Sequence, residues 1–180
     1  MYKIYYNETM GNLDYKEILF KIENTRRFGN EPGVTVTSQV IKKLKEVIVF
    51  EAEKSVLKYG SCFTQNKSVA VGGSSFSQYH GIILKDAGVT KIVLAFDNDY
   101  SEDGDRYYGL KKMIKEAKKI QDMGFEVEII YDWEQEYLGN KDAPIDLGRS
   151  VYSKLYRERK KLAEVIELYE EDTNEVPTTE

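Results

Sequence analysis

The 180-residue chain carries 26 Lys and Arg against 31 Asp and Glu, a formal net charge of −5, and 41% of it is hydrophobic. That is enough length and apolar content for one domain with a sizeable core, and the negative balance excludes the global footprint of a protein that grips a nucleic-acid backbone unaided. Such binding needs a local basic patch or a partner.

The single cysteine, Cys62, excludes an internal disulfide and a cysteine-built zinc site, and it fits a reducing compartment. No apolar run approaches the roughly 18 residues of a membrane span, and the start "MYKIYYNETM" lacks the segments of a signal peptide, so a soluble, cytoplasmic protein without a membrane partner is expected.

Taken in chain order, residues 1–46 read as an appendage. "YKIYY" alternates like an edge strand, "DYKEILFKI" is amphipathic, and "RRFGNEPGV" has the Gly, Pro and Asn of a loop. From residue 47 the apolar runs "VIVF", "SVAV", "KIVLAF" and "FEVEII" predict four strands. Between them "KSVLKYG", "SQYHGIILKDAG" and "GLKKMIKEAKKIQDMG" predict helices, the last two closing at Gly88 and Gly124. Alternating strands and helices imply βαβ units and a mostly parallel sheet covered on both faces. The core of this α/β unit spans 47–148. Residues 149–180 predict one long amphipathic helix from about Ser150 to Glu171, followed by a polar tail.

Acids sit where these strands should leave the core. Asp97 and Asp99 follow "KIVLAF", Glu51 follows "VIVF", and Asp142 lies in the loop "GNKDAPIDLG" beyond the fourth strand. Ligand sites of open α/β sheets lie at that edge. Taken singly, Glu51, Asp97 or Asp99 is explained as a helix N-cap. Together they would repel one another without a cation among them, and Mg²⁺ (or Mn²⁺) is the natural one, because it takes oxygen ligands and bridges carboxylates to phosphates. Gly72 and Gly73 in "VGGSSFS" fit a phosphate cradle or simply a tight strand-to-helix turn. Lys54 and Lys141 flank motif acids, as nucleotide contacts or as solvated lysines. His80 and Cys62 read as structural, and Arg26 and Arg27 as an exposed loop pair. The 14 tyrosines suit packing, with base stacking as the functional alternative.

The set of motifs "VIVFEAEKSVL", "VAVGGSSFS", "VLAFDND" and "KDAPID" resembles, in order, those of the Toprim domain, and within that family the primases of phages and mobile elements. Two positions depart from the family pattern: Ala52 stands for the usual Gly, and Ser55 for a frequent Asp. The resemblance implies a Toprim, Rossmann-like fold with a parallel sheet of about four strands, Glu51, Asp97 and Asp99 as catalytic acids, and Mg²⁺ held by them with Asp142. Glu51 would be either a metal ligand or the general base. The implied activity is synthesis of short RNA primers from nucleoside triphosphates on a single-stranded DNA template, with a replicative helicase or additional primase domains as partners. The chain looks partial for that task, since the zinc module and most of a basic subdomain are missing. Metal-dependent phosphodiester cleavage, as in Toprim nucleases and topoisomerases, and a non-catalytic DNA-repair scaffold are the alternatives.

Overall fold

The computed structural model describes residues 41–101, 105 and 107–174. The expectations for residues 1–40, Arg26 and Arg27 among them, and for the tail beyond 174 fall outside these residues. The described chain forms β1 (Glu46–Phe50), α1 (Glu53–Cys62), β2 (Ser68–Ala70), α2 (Gln78–Asp86), β3 (Lys91–Leu94), α3 (Tyr108–Asp122), β4 (Glu126–Ile129), α4 (Arg149–Arg157), β5 (Lys160–Lys161) and α5 (Leu162–Asn174). The sheet order is β2-β1-β3-β4-β5. The first four strands pair in parallel and β5 pairs antiparallel to β4.

Side-chain alternation divides the core into two layers, one on each face of the sheet. Val47 and Val49 of β1 with Ile92 and Leu94 of β3 pack against α2, α3 and α5. Ile48 and Phe50 with Val93 pack instead against α1 and α4. All seven are fully buried, which is why these strands read as unbroken apolar runs and not as alternating ones. Turn chemistry sets the helix ends. Ser77 caps α2, accepting from the His80 amide at 3.3 Å, while the Ser77 amide donates to His80 Nδ1 at 3.1 Å. Burial pushes the His80 imidazole below its ordinary pKa, so it is a neutral, structural histidine. Gly88 and Gly124 follow α2 and α3 with φ of +80° and +86°, the left-handed conformation that ends a helix.

The single helix expected from Ser150 to Glu171 is two helices. The chain becomes extended at Lys160 and Lys161, which pair with Ile129 and Glu128. Without β5, strand β4 would present an unpaired edge. Arg159 secures the break by donating to Glu128 Oε2 at 2.5 Å, and Lys91 reaches Glu128 Oε1 at 2.7 Å. Tertiary pairing here overrides a helical pattern that runs through "RERKKL" uninterrupted. Leu162 and Val165 of α5 then enter the same core layer as α3.

Candidate active site at the C-terminal edge of the sheet

Because β1 and β3 are neighbours in parallel register, with Val49 opposite Leu94, the residues just beyond them emerge side by side. Glu51 leaves β1 and Asp97 leaves β3 after two further buried residues, Ala95 and Phe96. The Glu51 carboxylate accepts a hydrogen bond from the Asp97 main-chain amide. Burial, then the charges of Asp97 and Asp99, push the Glu51 carboxyl up to about 7. Asp97 is also raised, first by burial, with Asp146, Asp99 and Asp142 adding to the effect and Lys54 opposing it. Its Oδ1 is buried and has no hydrogen-bond partner among the described residues. Five carboxylates therefore share one electrostatic neighbourhood.

The Asp97-Asn98-Asp99 segment is held from below. Asn98, between the acids, is buried and donates through Nδ2 to the Leu138 carbonyl at 3.1 Å. Its main chain bridges to the 139–142 turn: Asn98 N donates to Asp142 O at 2.9 Å and Lys141 N to Asn98 O at 2.8 Å. On the other flank, Gly109 in the first turn of α3 lies against the backbone of Asp99, so close that a Cβ there would stand 2.9 Å from the Asp99 carbonyl oxygen. That glycine is required by contact.

Asp142 adjoins Asp97, but its Oδ2 already accepts from the Gly139 amide at 2.9 Å, which closes the turn. Gly72 and Gly73, at φ of +71° and +153°, direct both amides to the Glu51 carbonyl, at 2.9 and 3.1 Å. The turn thus braces Glu51, and those two amides are engaged by protein. Lys54 forms an ion pair with Asp146 at 3.3 Å. Lys141 is exposed in the turn, at φ +64°.

Two residues of the site were not singled out in the sequence. Lys112, one turn into α3, forms an ion pair with Asp99 and lies 5.3 Å from the centroid of the Tyr108 ring, and its charge also reaches Glu51. Asp146 accepts from Lys58 at 2.6 Å and from the Ala143 amide at 3.2 Å, and these contacts with Lys54 hold its carboxyl below its ordinary value against the cost of burial. The signal for Asp146 lay in "KDAPID", which has a second acid. For Lys112 the signal was helical spacing behind Asp99, which "GLKKMIKEAKK" hides among several lysines.

Among the described residues no three His, Cys, Asp or Glu side chains make a ready cage for a metal ion. The donors nevertheless fit Mg²⁺, which binds through one or two carboxylates, waters and substrate phosphates and seldom through an all-protein cage. A half-buried Asp97 with an unpartnered oxygen, beside a Glu51 that resists ionisation, is the environment that a divalent cation would relieve.

No protein-family model matches the chain. The SPbeta prophage-derived uncharacterized protein YorJ of Bacillus subtilis (strain 168) is 29% identical over 160 residues, covering 81% of this chain and 42% of that protein. The structure is similar to that of the Aquifex aeolicus primase (zinc-binding and RNA polymerase domains), with a TM-score of 0.57 and 22% identity over 79% of this chain and 33% of that one. The RNA polymerase domain of Mycobacterium tuberculosis primase DnaG gives a TM-score of 0.49 and 19% identity over 73% of this chain and 41% of that one. The chain thus spans less than half the length of each of these relatives. On the Aquifex likeness, the five-stranded, mostly parallel sheet with its flanking helices is a primase-like α/β fold.

Proposed function

We propose that the chain is the Toprim catalytic core of a primase, joining ribonucleotides on single-stranded DNA with Mg²⁺ or Mn²⁺, and that it works within a longer protein or beside partners such as further primase domains or a helicase. The observation that carries this reading is the emergence of Glu51 and the Asp97-Asn98-Asp99 segment from adjacent parallel strands, with a buried Asp97 oxygen that has no hydrogen-bond partner among the described residues. The primase-like fold and the prophage-derived relative support it. The catalytic unit is residues 47–148, with 1–46 as an appendage and 149–180 as a C-terminal extension that completes the sheet.

A divalent ion held by Asp97 and Asp99 would supply charge stabilisation for the α-phosphate and the departing pyrophosphate. The chain's own residues do the rest. Glu51, poised near neutrality, accepts the proton of the attacking 3′-hydroxyl or completes the cation's oxygen shell. Asn98 and Gly109 hold the backbone that carries the Asp97 and Asp99 carboxylates, which favours a preorganised site. Lys112 neutralises Asp99 while no substrate is present, and Lys141 extends from the adjoining turn toward solvent, where triphosphate or template would approach.

The test is incorporation of labelled ribonucleotides on single-stranded DNA by the longest natural protein containing this chain, run beside nicking of the same DNA. Primer products that disappear in Asp97→Ala and Asp99→Ala proteins of native circular dichroism support the proposal. Cleavage without synthesis, or synthesis that survives both substitutions, refutes it.

A further inference from the structure

The opposite edge of the sheet carries a feature that the acidic site does not use. A cavity of about 720 Å³ opens between the end of α1, the loop leading into β2, and α4. Its described lining includes Phe63, Lys67, Arg149, Tyr152, Tyr156 and Arg157, and none of its described lining residues is Asp or Glu. In a chain of net charge −5 this is a marked segregation. Lys67 immediately precedes β2, so the cavity sits at the N-terminal edge of the parallel strands, away from Glu51 and Asp97.

The cations differ in their commitments. Lys67 is ion-paired to Glu46 and hydrogen-bonded to the Tyr156 hydroxyl at 2.9 Å, which makes it part of the frame. Arg149 and Arg157 are exposed and form no ion pair among the described residues. Arg157 Nε donates to the Ser153 carbonyl at 3.1 Å, which orients the guanidinium and leaves its terminal amino groups to a ligand. The Arg149 guanidinium carbon lies 5.3 Å from the centroid of Phe63, whose ring is stacked on Tyr59 at 4.6 Å. Behind these stands Tyr152, 2% exposed, with a buried hydroxyl that has no hydrogen-bond partner among the described residues.

We infer that this cavity binds a segment of single-stranded nucleic acid, its phosphates on Arg149 and Arg157 and one base against Phe63. Guanidinium forks match phosphate oxygens, and aromatic rings beside a basic track accept any base. The two arginines stand two turns apart on α4, about 12 Å along its axis, which suits phosphates two nucleotides apart on an extended strand and not one mononucleotide. A base takes the Phe63 face when the exposed Arg149 side chain swings from the ring to the backbone. This is the local basic patch that the overall charge calls for, and it is independent of the catalytic proposal.

The test is fluorescence anisotropy of a labelled short oligothymidylate with the whole chain, in chelator so that no divalent ion recruits the strand to the acidic edge, over a series of salt concentrations. The unmodified chain should bind at low salt and weaken as salt rises. Arg149→Ala/Arg157→Ala should bind roughly tenfold or more weakly and lower the magnitude of the log K against log salt slope by about 1.4, the value for two lost single-strand phosphate contacts. Circular dichroism checks that both proteins are native. Failure of the native unmodified chain to bind, an unchanged slope and affinity in the double variant, or displacement by thymidine monophosphate as effective as by unlabelled oligonucleotide would each overturn the inference.

Discussion

Glu51→Gln should stabilise the fold while removing a residue of the acidic site, and the size of the effect follows from its surroundings. The Glu51 carboxyl is raised from 4.5 to about 7, chiefly by burial and then by Asp97 and Asp99. At about 1.4 kcal/mol per pKa unit that shift corresponds to about 3 kcal/mol, and solvent screening of a half-exposed carboxylate reduces it to about 1–2 kcal/mol. The sign is fixed by proton linkage. Between pH 4.5 and about 7 the folded state holds a proton that the unfolded state has lost, so rising pH erodes stability through this window and the cost is complete above it. Glutamine has no charge to lose. The variant should therefore match the parent near pH 4.5 and exceed it by about 1–2 kcal/mol at pH 8, measured by urea denaturation at several pH values with the m-value held constant. A variant no more stable than the parent at pH 8 would refute the claim that Glu51 is held in an anion-disfavouring site.

Three further outcomes follow from the same geometry. Lys112→Met removes the cation paired with Asp99 and felt by Glu51, so Mn²⁺ titrated in the absence of nucleotide should bind several-fold more tightly; weaker binding would show that Lys112 supports the site and does not compete for it. Gly109→Ala places a methyl 2.9 Å from the Asp99 carbonyl oxygen and should cost about 1–3 kcal/mol in chemical denaturation, together with a loss of Mn²⁺ affinity as Asp99 is displaced. Lys58→Ala breaks an exposed bridge to Asp146, and because Lys54 remains, the change in stability should stay within about 1 kcal/mol.

The parallel sheet was legible because β1 and β3 are buried on both faces, so their sequences are apolar without alternation and end where the acids begin. The helix ends at Gly88 and Gly124 were equally plain, since positive φ leaves few residue choices. The division of the C-terminal helix was hidden because its cause, the open edge of β4 and the charge of Glu128, lies some thirty residues earlier in the chain. The position of Glu51, Asp97 and Asp99 beyond the ends of adjacent strands was readable from the apolar runs before them. The engagement of the Gly72 and Gly73 amides by the Glu51 carbonyl was not, because a glycine pair that cradles an anion and one that braces a neighbouring strand share a sequence. Lys112 and Asp146 entered through tertiary pairing with Asp99 and Lys58, which the second acid of "KDAPID" and the helical spacing behind Asp99 signal only weakly.

Whether the strand-end acids share a divalent cation is tested most directly by Mn²⁺ binding followed by paramagnetic resonance, with and without a nucleoside triphosphate. Weak binding that strengthens when triphosphate is added is expected, since phosphates complete the oxygen shell that two carboxylates leave open. Asp97→Asn and Asp99→Asn should each abolish that strengthening in natively folded protein. Undiminished Mn²⁺ binding in both variants, or no binding by the parent chain even with triphosphate present, would contradict the assignment of this edge as a metal-dependent catalytic site.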